Sequence, residues 1–336
     1  MLKPTNRSIS PSGVWTRAQW ARAPGPSTKY RKAVRVNAKG SGNVVIETNQ
    51  KRRYLSILPP FFSRSTHLEE FGEGVWGLVQ PLKVLNGKPD VRLRMVVARL
   101  EDGTLALVGP VAPSEEALDL IKGLGSSVGH IIVPNTSPEH YIYAPAMANA
   151  FPQATVWTPA GFFQGRGLPF PGRGLMFANT RKTHPCFELG VDPLPVLNNP
   201  DSANFGRPLF EAITFEVPIL IEIGIYFPQQ RSLVMADSAI CLSDTDPEYS
   251  NMSEFNVKLA MRLEVWNRLG TLTKPVYQKY PEAGASWVRR VIETCEERGG
   301  LAQILPLHGA IPAHGEDDLN GETAMDLLKS CFDFIQ

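Results

Sequence analysis

The chain has only four cysteines, at positions 186, 241, 295 and 331, and no two of them form a Cys-x-x-Cys pair. That excludes zinc-ribbon and thioredoxin-type redox sites and leaves free thiols suited to a reducing compartment. Long hydrophobic runs are also missing. The most apolar stretch, Val217 to Phe227, is interrupted by Pro218 and Glu222 and is far shorter than the roughly twenty residues a membrane-spanning helix needs. Negative charge is absent from the first 45 residues, which carry nine lysines and arginines. Removing those nine from the 34 basic residues leaves 25 against 33 acidic ones, so the body of the chain sits near −8. A body of that sign is a poor partner for nucleic acid.

The acid-free head is basic, hydroxyl-containing and rich in small residues, and it lacks the apolar core of a secretory signal. Val34-Arg35-Val36-Asn37-Ala38 resembles the processing site of green-algal chloroplast proteins. The expectation is a transit peptide over residues 1–40 and a linker over 41–70, followed by a folded domain over 71–336. The implied location is the chloroplast, in the stroma or on the thylakoid surface, with the mitochondrion as the alternative.

Beyond that head the composition, 43% hydrophobic and 20% charged, is that of an ordinary globular protein. Short strands are expected at Val75 to Val79, Arg92 to Leu100 and Thr104 to Val108, the last two joined by the turn Glu101-Asp102-Gly103. Ser114 is placed to cap a helix whose Leu118, Ile121 and Leu124 share a face and which Gly125 ends. A strand His130 to Val133, a helix Tyr141 to Phe151 and a strand Ala154 to Trp157 form an α/β unit. Residues 159–208 hold eight prolines and seven glycines and predict a long irregular segment. Three strands follow, Phe210 to Val217, Ile219 to Phe227 and Ser232 to Ala236. Ser253 is placed to cap a helix to Leu269 with Phe255, Leu259, Leu263 and Trp266 on one face. Helices at Ala283 to Arg298 and Glu322 to Phe334 flank a strand, Ala302 to Leu305.

Carboxylates and imidazoles gather at the ends of these apolar segments. Glu139-His140 closes the loop after His130 to Val133, Asp237 follows Ser232 to Ala236, and His308-Gly309 follows Ala302 to Leu305. Such placement is how sandwich hydrolases collect metal ligands from distant sequence. The pieces GVWGLVQPL, RMVVARLEDGTLALVGPV, HIIVPNTSPEHYIYAPAMANAFPQATVWTPAG, IGIYFPQQRSLVMADSA and ILPLHGA, in this order and spacing, resemble the metallo-β-lactamase-fold superfamily. More closely they resemble a branch of it called domain of unknown function 4336, over about Phe71 to His314. The resemblance implies an α/β (α+β), four-layer αββα sandwich. It also implies a first-loop motif of His-x-His-x-Asp-His, whose two leading histidines fall here on Asn135 and Ser137, its aspartate on Glu139 and its last histidine on His140. The middle histidine has no counterpart between Phe215 and Leu220; the bridging aspartate falls on Asp237 and the final histidine on His308.

One metal position has thus lost its ligands, because asparagine and serine bind divalent transition metals poorly. The set Glu139, His140, Asp237 and His308 is left for either no metal or one divalent ion, with zinc, iron and manganese all compatible. Two readings follow. The first is a degenerate, non-catalytic binding or assembly module in the plastid, with an unidentified small molecule or plastid protein as partner. The second is a mononuclear metal-dependent hydrolase. Two Gly-Arg-Gly turns, Gly165 to Gly167 and Gly172 to Gly174, offer backbone N–H groups and guanidinium for an anion but equally suit a plain basic loop. Trp157 and the Phe162-Phe163 pair are expected to pack in the core or as a lid, and His184 and His314 to lie on the surface.

Overall fold

The computed structural model describes residues 65–83, 90–167, 172–191, 208–244, 252–312 and 322–335, with the short pieces 53–54, 62–63, 194, 246 and 249. The proposed transit segment, most of the linker and His314 lie outside the described residues. A two-residue ladder pairs β1 (Arg53–Tyr54) with β2 (Phe62–Ser63). All other strands join one continuous sheet that is folded into two halves.

The first half runs β3 (His67–Glu70), β4 (Val75–Lys83), β5 (Asp90–Arg99), β6 (Leu105–Val108), β7 (Val128–Ile132), β8 (Thr155–Pro159) and β9 (Cys186–Leu189). The second half runs β10 (Glu211–Val217), β11 (Leu220–Phe227), β12 (Ser232–Cys241) and β13 (Gln303–Gly309). The seam is a single pairing, His308 of β13 opposite Leu93 of β5. Since β3 pairs along β4 in register, the sheet begins at His67, ahead of the domain start expected at Phe71.

Strand alternation sorts the side chains into layers. On β5, Leu93, Met95 and Val97 face one side, and Val96 and Ala98 face the other. The outer side packs on α1 (Glu115–Gly123) and α2 (Ala144–Ala150) through Ala117, Ile121, Ala144, Met147 and Ala148. The inner side meets Ile223, Ile225, Phe227, Val234, Ala236, Leu305 and Leu307 of the second half, which forms the sheet-on-sheet core. The far face of the second half carries Leu233, Met235 and Ile304 against α7 (Pro281–Glu297) and α8 (Ala324–Cys331). Trp287 of α7 is buried there and its indole N–H donates to Ile213 O at 2.8 Å. Truncating such a residue costs about 3–5 kcal/mol. Helix, sheet, sheet, helix is the metallo-β-lactamase-like αββα sandwich that the resemblance implies.

Both serine caps form: Ser114 accepts from Ala117 N and Ser253 from Asn256 N. Several expectations need correction. The segment 159–208 is not wholly irregular, since α3 (Arg173–Met176), α4 (Thr180–Thr183) and β9 lie within it. The helix after Ser253, α5 (Glu254–Arg262), stops well short of Leu269, because Glu264 and Asn267 take positive φ of 58° and 53°. A further helix, α6 (Lys274–Lys279), precedes α7. His184 is buried rather than surface-lying: its Nε2 sits 2.9 Å from Ala148 O and ties α4 to α2. Among the described residues no helix is long and apolar enough to cross a membrane.

Candidate metal centre

The chain leaves β7 through Val133 and Pro134 into a buried loop that is stitched to the second half. Ile223 N donates to Pro134 O at 2.7 Å, and Thr136 N to Ile221 O at 3.1 Å. That stitching delivers the 3-10 turn Pro138–His140 to the seam. Asp237 arrives from the other side. It is not at a strand end, as the sequence suggests, but inside β12, where the parallel register with β13 breaks between Met235 and Ile240. A break of this kind re-aims a side chain. His308 is the seam residue itself.

The strand end is fixed around His308. Arg94, fully buried, donates from Nη1 to Pro306 O at 2.5 Å and from Nη2 to Gly309 O at 2.8 Å, so it grips the carbonyls on either side of the histidine. Glu69 of β3 holds Arg94 Nε at 2.9 Å and Arg92 Nη1 at 3.2 Å, and Arg92 also pairs with Asp246. Gly309 has φ +78°, and a Cβ there would collide with the carbonyl oxygen of Cys241.

All four expected residues converge: one candidate ligand atom from each of Glu139, His140, Asp237 and His308 lies within 4.8 Å of the other three. His140 Nε2 is 3.1 Å from His308 Nε2 and 3.4 Å from Asp237 Oδ1, and His308 Nε2 is 3.6 Å from that same oxygen. Bonds of about 2.0–2.1 Å at tetrahedral angles put neighbouring ligand atoms about 3.3 Å apart. The spacing of His140, Asp237 and His308 therefore fits one ion, while the full set of four spreads to 4.8 Å, so Glu139 has to draw inward to join them. His308 Nδ1 lies 3.0 Å from Arg92 O, the backing that orients a ligating imidazole. His140 Nδ1 is buried and has no hydrogen-bond partner among the described residues, so its side of that support is missing.

Asp237 divides its two oxygens. Oδ1 faces the histidines, while Oδ2 accepts from Asn135 Nδ2 at 2.8 Å and from Ser137 Oγ at 2.5 Å. The amide orientation is fixed, because Ser137 N donates to Asn135 Oδ1 at 3.0 Å. Asn135 and Ser137, which replace the two leading histidines, thus occupy the oxygen that a second ion would need. Burial alone would raise the Asp237 carboxyl. Hydrogen bonds from His140 and His308, and their charge, overcome that and hold it well below the usual carboxylate range. For His308 burial acts to lower its pKa, but hydrogen bonding and charge from Asp237 outweigh it and the net shift is upward.

In the sequence Glu222 stands out only as an interruption of an apolar run, yet it is fully buried beside the site. Burial pushes its carboxyl up to about 8, with the charge of Asp237 adding to the shift, because two neighbouring buried carboxyls cannot both ionise cheaply. A lone acid in a strand whose every residue is buried, LIEIGIYF, was the signal available.

The Gly-Arg-Gly turns do not form an anion cradle. Arg166 pairs with Glu216, and Arg173 is buried 4.6 Å over the Phe162 ring while donating to Arg166 O at 2.7 Å. Gly167 instead allows close packing, since a Cβ there would lie 2.6 Å from Thr136 Oγ1 in the site loop. The Phe162-Phe163 pair packs with Phe177 beneath α2. The string Gly125-Ser126-Ser127-Val128-Gly129 has the spacing of a nucleophile elbow, but it follows a helix and enters a strand, the reverse of the elbow's order.

The folded sheet, its two helical layers and a carboxylate–imidazole cluster on the seam define an αββα sandwich with a candidate metal centre. A family model described as domain of unknown function (DUF4336) matches residues 72–271, which is 200 of 336 residues, and the chain belongs to that family. The match ends before His308. No curated protein matches the sequence. Solved structures similar to this one include a metallo-β-lactamase from Pontibacter korlensis, with 13% identity, 81% of this chain and 99% of that chain covered, and a TM-score of 0.44. A putative diflavin flavoprotein fragment from Nostoc sp. PCC 7120 shares 12% identity over 75% of this chain and 90% of its own, with a TM-score of 0.46. A metal-soaked flavodiiron core from Synechocystis sp. PCC6803 shares 10% over 74% of this chain and 57% of its own, at 0.45.

Proposed function

We propose that this protein is a plastid binding or assembly module built around a single-metal centre, with Glu139, His140, Asp237 and His308 as the ligands, and that it does not run two-metal hydrolysis. The observation that carries this reading is the use of Asp237 Oδ2 by Asn135 and Ser137. With that oxygen taken and no histidine at 135 or 137, no second group of metal-ligating side chains is left among the described residues to hold another ion. A dinuclear clamp stabilises both the attacking and the leaving oxygen, which one ion does not do. Four protein ligands, three of them buried, also match closed structural sites better than catalytic sites with an open position. Zinc, iron and manganese all accept two carboxylates and two imidazoles.

One observation favours a second reading, a mononuclear metal-dependent hydrolase. Glu139 is the half-buried member of the set, so it is the ligand that water or substrate would displace. Elemental analysis of the purified chain paired with a hydrolase panel separates the two. The first reading expects about one equivalent of metal, lost in His140→Ala and in His308→Ala, and no turnover of β-lactam, glyoxalase-type or phosphodiester substrates. Two equivalents with robust turnover would overturn it. Turnover with one equivalent would favour the hydrolase. For the location, sequencing the N-terminus of organelle-isolated protein should find a start near Ala38; an intact Met1 would sink the transit-peptide proposal.

A further inference from the structure

Glu222 is not among the expected ligands, but it stands where the two ligand-bearing segments meet. Its strand neighbours Ile221 and Ile223 bond the loop 134–136 on one side, which leads directly to Glu139 and His140. Its side chain reaches the opposite way. Oε1 accepts from Ala236 N at 3.1 Å and from Ser238 N at 3.0 Å, and Oε2 lies 3.1 Å from Ser238 N. These are the two amides that flank Asp237.

The strand pattern explains why those amides need a side chain. β11 pairs with β12 only from Ile225–Phe227 to Ser232–Val234. The β13 register on the other side is broken from Met235 to Ile240. The segment carrying Asp237 therefore leaves both ladders within a fully buried strand. Buried amides without partners are costly, and a carboxyl oxygen that accepts from both of them replaces the missing ladder. Around the same turn Thr271 Oγ1 donates to Asp237 O at 3.2 Å, and Ser238 Oγ lies 2.5 Å from the Tyr277 hydroxyl.

We infer that Glu222 is a positioning residue for metal binding: it holds the backbone on both sides of Asp237 so that the carboxylate meets His140 and His308. The inference rests on the single-metal reading above. The role is geometric, an oxygen at a given reach, and not the supply of charge to the ion. Those alternatives make opposite predictions for two small substitutions. Glu222→Gln keeps an oxygen that can accept both amides but removes the acid. Glu222→Asp keeps the acid but withdraws the oxygens by one methylene.

The test titrates Zn2+ alone, and separately Co2+ alone, into the full metal-free chain and the two variants, with amide hydrogen exchange measured on the same metal-free samples. Loss of a residue that orients a ligand typically lowers metal affinity about 10–100-fold. That loss is expected for Glu222→Asp, together with faster exchange at Ala236 and Ser238, while Glu222→Gln stays within about threefold of wild type and keeps both amides protected. Wild-type affinity in Glu222→Asp, or a larger loss in Glu222→Gln than in Glu222→Asp, would overturn the inference. A merely structural role would lower thermal stability without moving the affinity of the folded protein. If the wild-type chain takes up no metal, the single-metal reading fails by itself. The exchange pattern then decides whether Glu222 holds the Asp237 segment: free exchange at both amides in wild type ends that claim.

Discussion

At the scale of single residues, the site depends on where the backbone can go more than on any one side chain. Gly309 shows this. It follows His308, takes φ +78°, and lies so close to the Cys241 carbonyl that a β-carbon has no room. Gly309→Ala should cost about 3 kcal/mol or more, since the left-handed backbone and the clash act together. Chemical denaturation of the metal-free chain measures it; a change under about 0.5 kcal/mol, the range of an ordinary surface substitution, would show that the strand end relaxes freely. Legibility at this scale follows the chemistry of the residue types. Glu139, His140, Asp237 and His308 stood out in the sequence because carboxylates and imidazoles after short apolar segments are unusual. Asn135 and Ser137 were legible as losses but not as donors to Asp237, because only the folded loop shows that both donate to its Oδ2. Glu222 carries no such mark, because its partners are backbone amides, which no sequence pattern reveals.

At the scale of elements, α5 is the instructive case. Phe255, Leu259 and Leu263 recur at helical spacing, and such a stripe ordinarily faces a core. Here Phe255 is 75% exposed and Leu259 and Leu263 are exposed as well, while Ala260 is the buried residue of the helix. The period was correct and the facing was not, because the positive φ at Glu264 and Asn267 ends the helix before it can lie along the sheet. Phe255→Ser is therefore expected to change unfolding free energy by less than about 0.5 kcal/mol, where a core phenylalanine would cost several. A loss above about 2 kcal/mol in thermal or urea unfolding would mean that α5 packs inward. The sheet was more legible than the helices. Alternating residues on β5 and the mainly apolar runs of β7 and β11 report burial on one or both faces directly. The short elements α3, α4, α6 and β9 are set by contacts distant in sequence and left no comparable mark.

At the scale of the whole molecule, the ligands come from both halves of the folded sheet. Glu139 and His140 belong to the loop that leaves β7, and Asp237 and His308 to β12 and β13. The described contact between the halves along the sheet is the single pair His308–Leu93, supplemented by the bonds from loop 134–136 to β11 and by the sheet-on-sheet core. An ion held by all four ligands would cross-link the halves at that seam, and the unfolded chain has no such arrangement to offer. Binding only to the folded state stabilises it by about 2.7 kcal/mol at a free metal concentration one hundred times the Kd. For a domain of this size each kcal/mol moves the melting temperature by about 2–4 °C. Zn2+ at that excess should therefore raise the Tm of the metal-free chain by about 5–10 °C, and a chelator should reverse the rise. Asp237→Asn and His308→Ala should abolish the shift, whatever they do to the starting Tm. Lys274→Ala, which removes the pair with Glu264 and the contact with the Phe334 ring, both away from the seam, should leave it intact. A Tm rise that survives loss of Asp237 or His308 would place the stabilising metal elsewhere on the chain and separate the seam cluster from it.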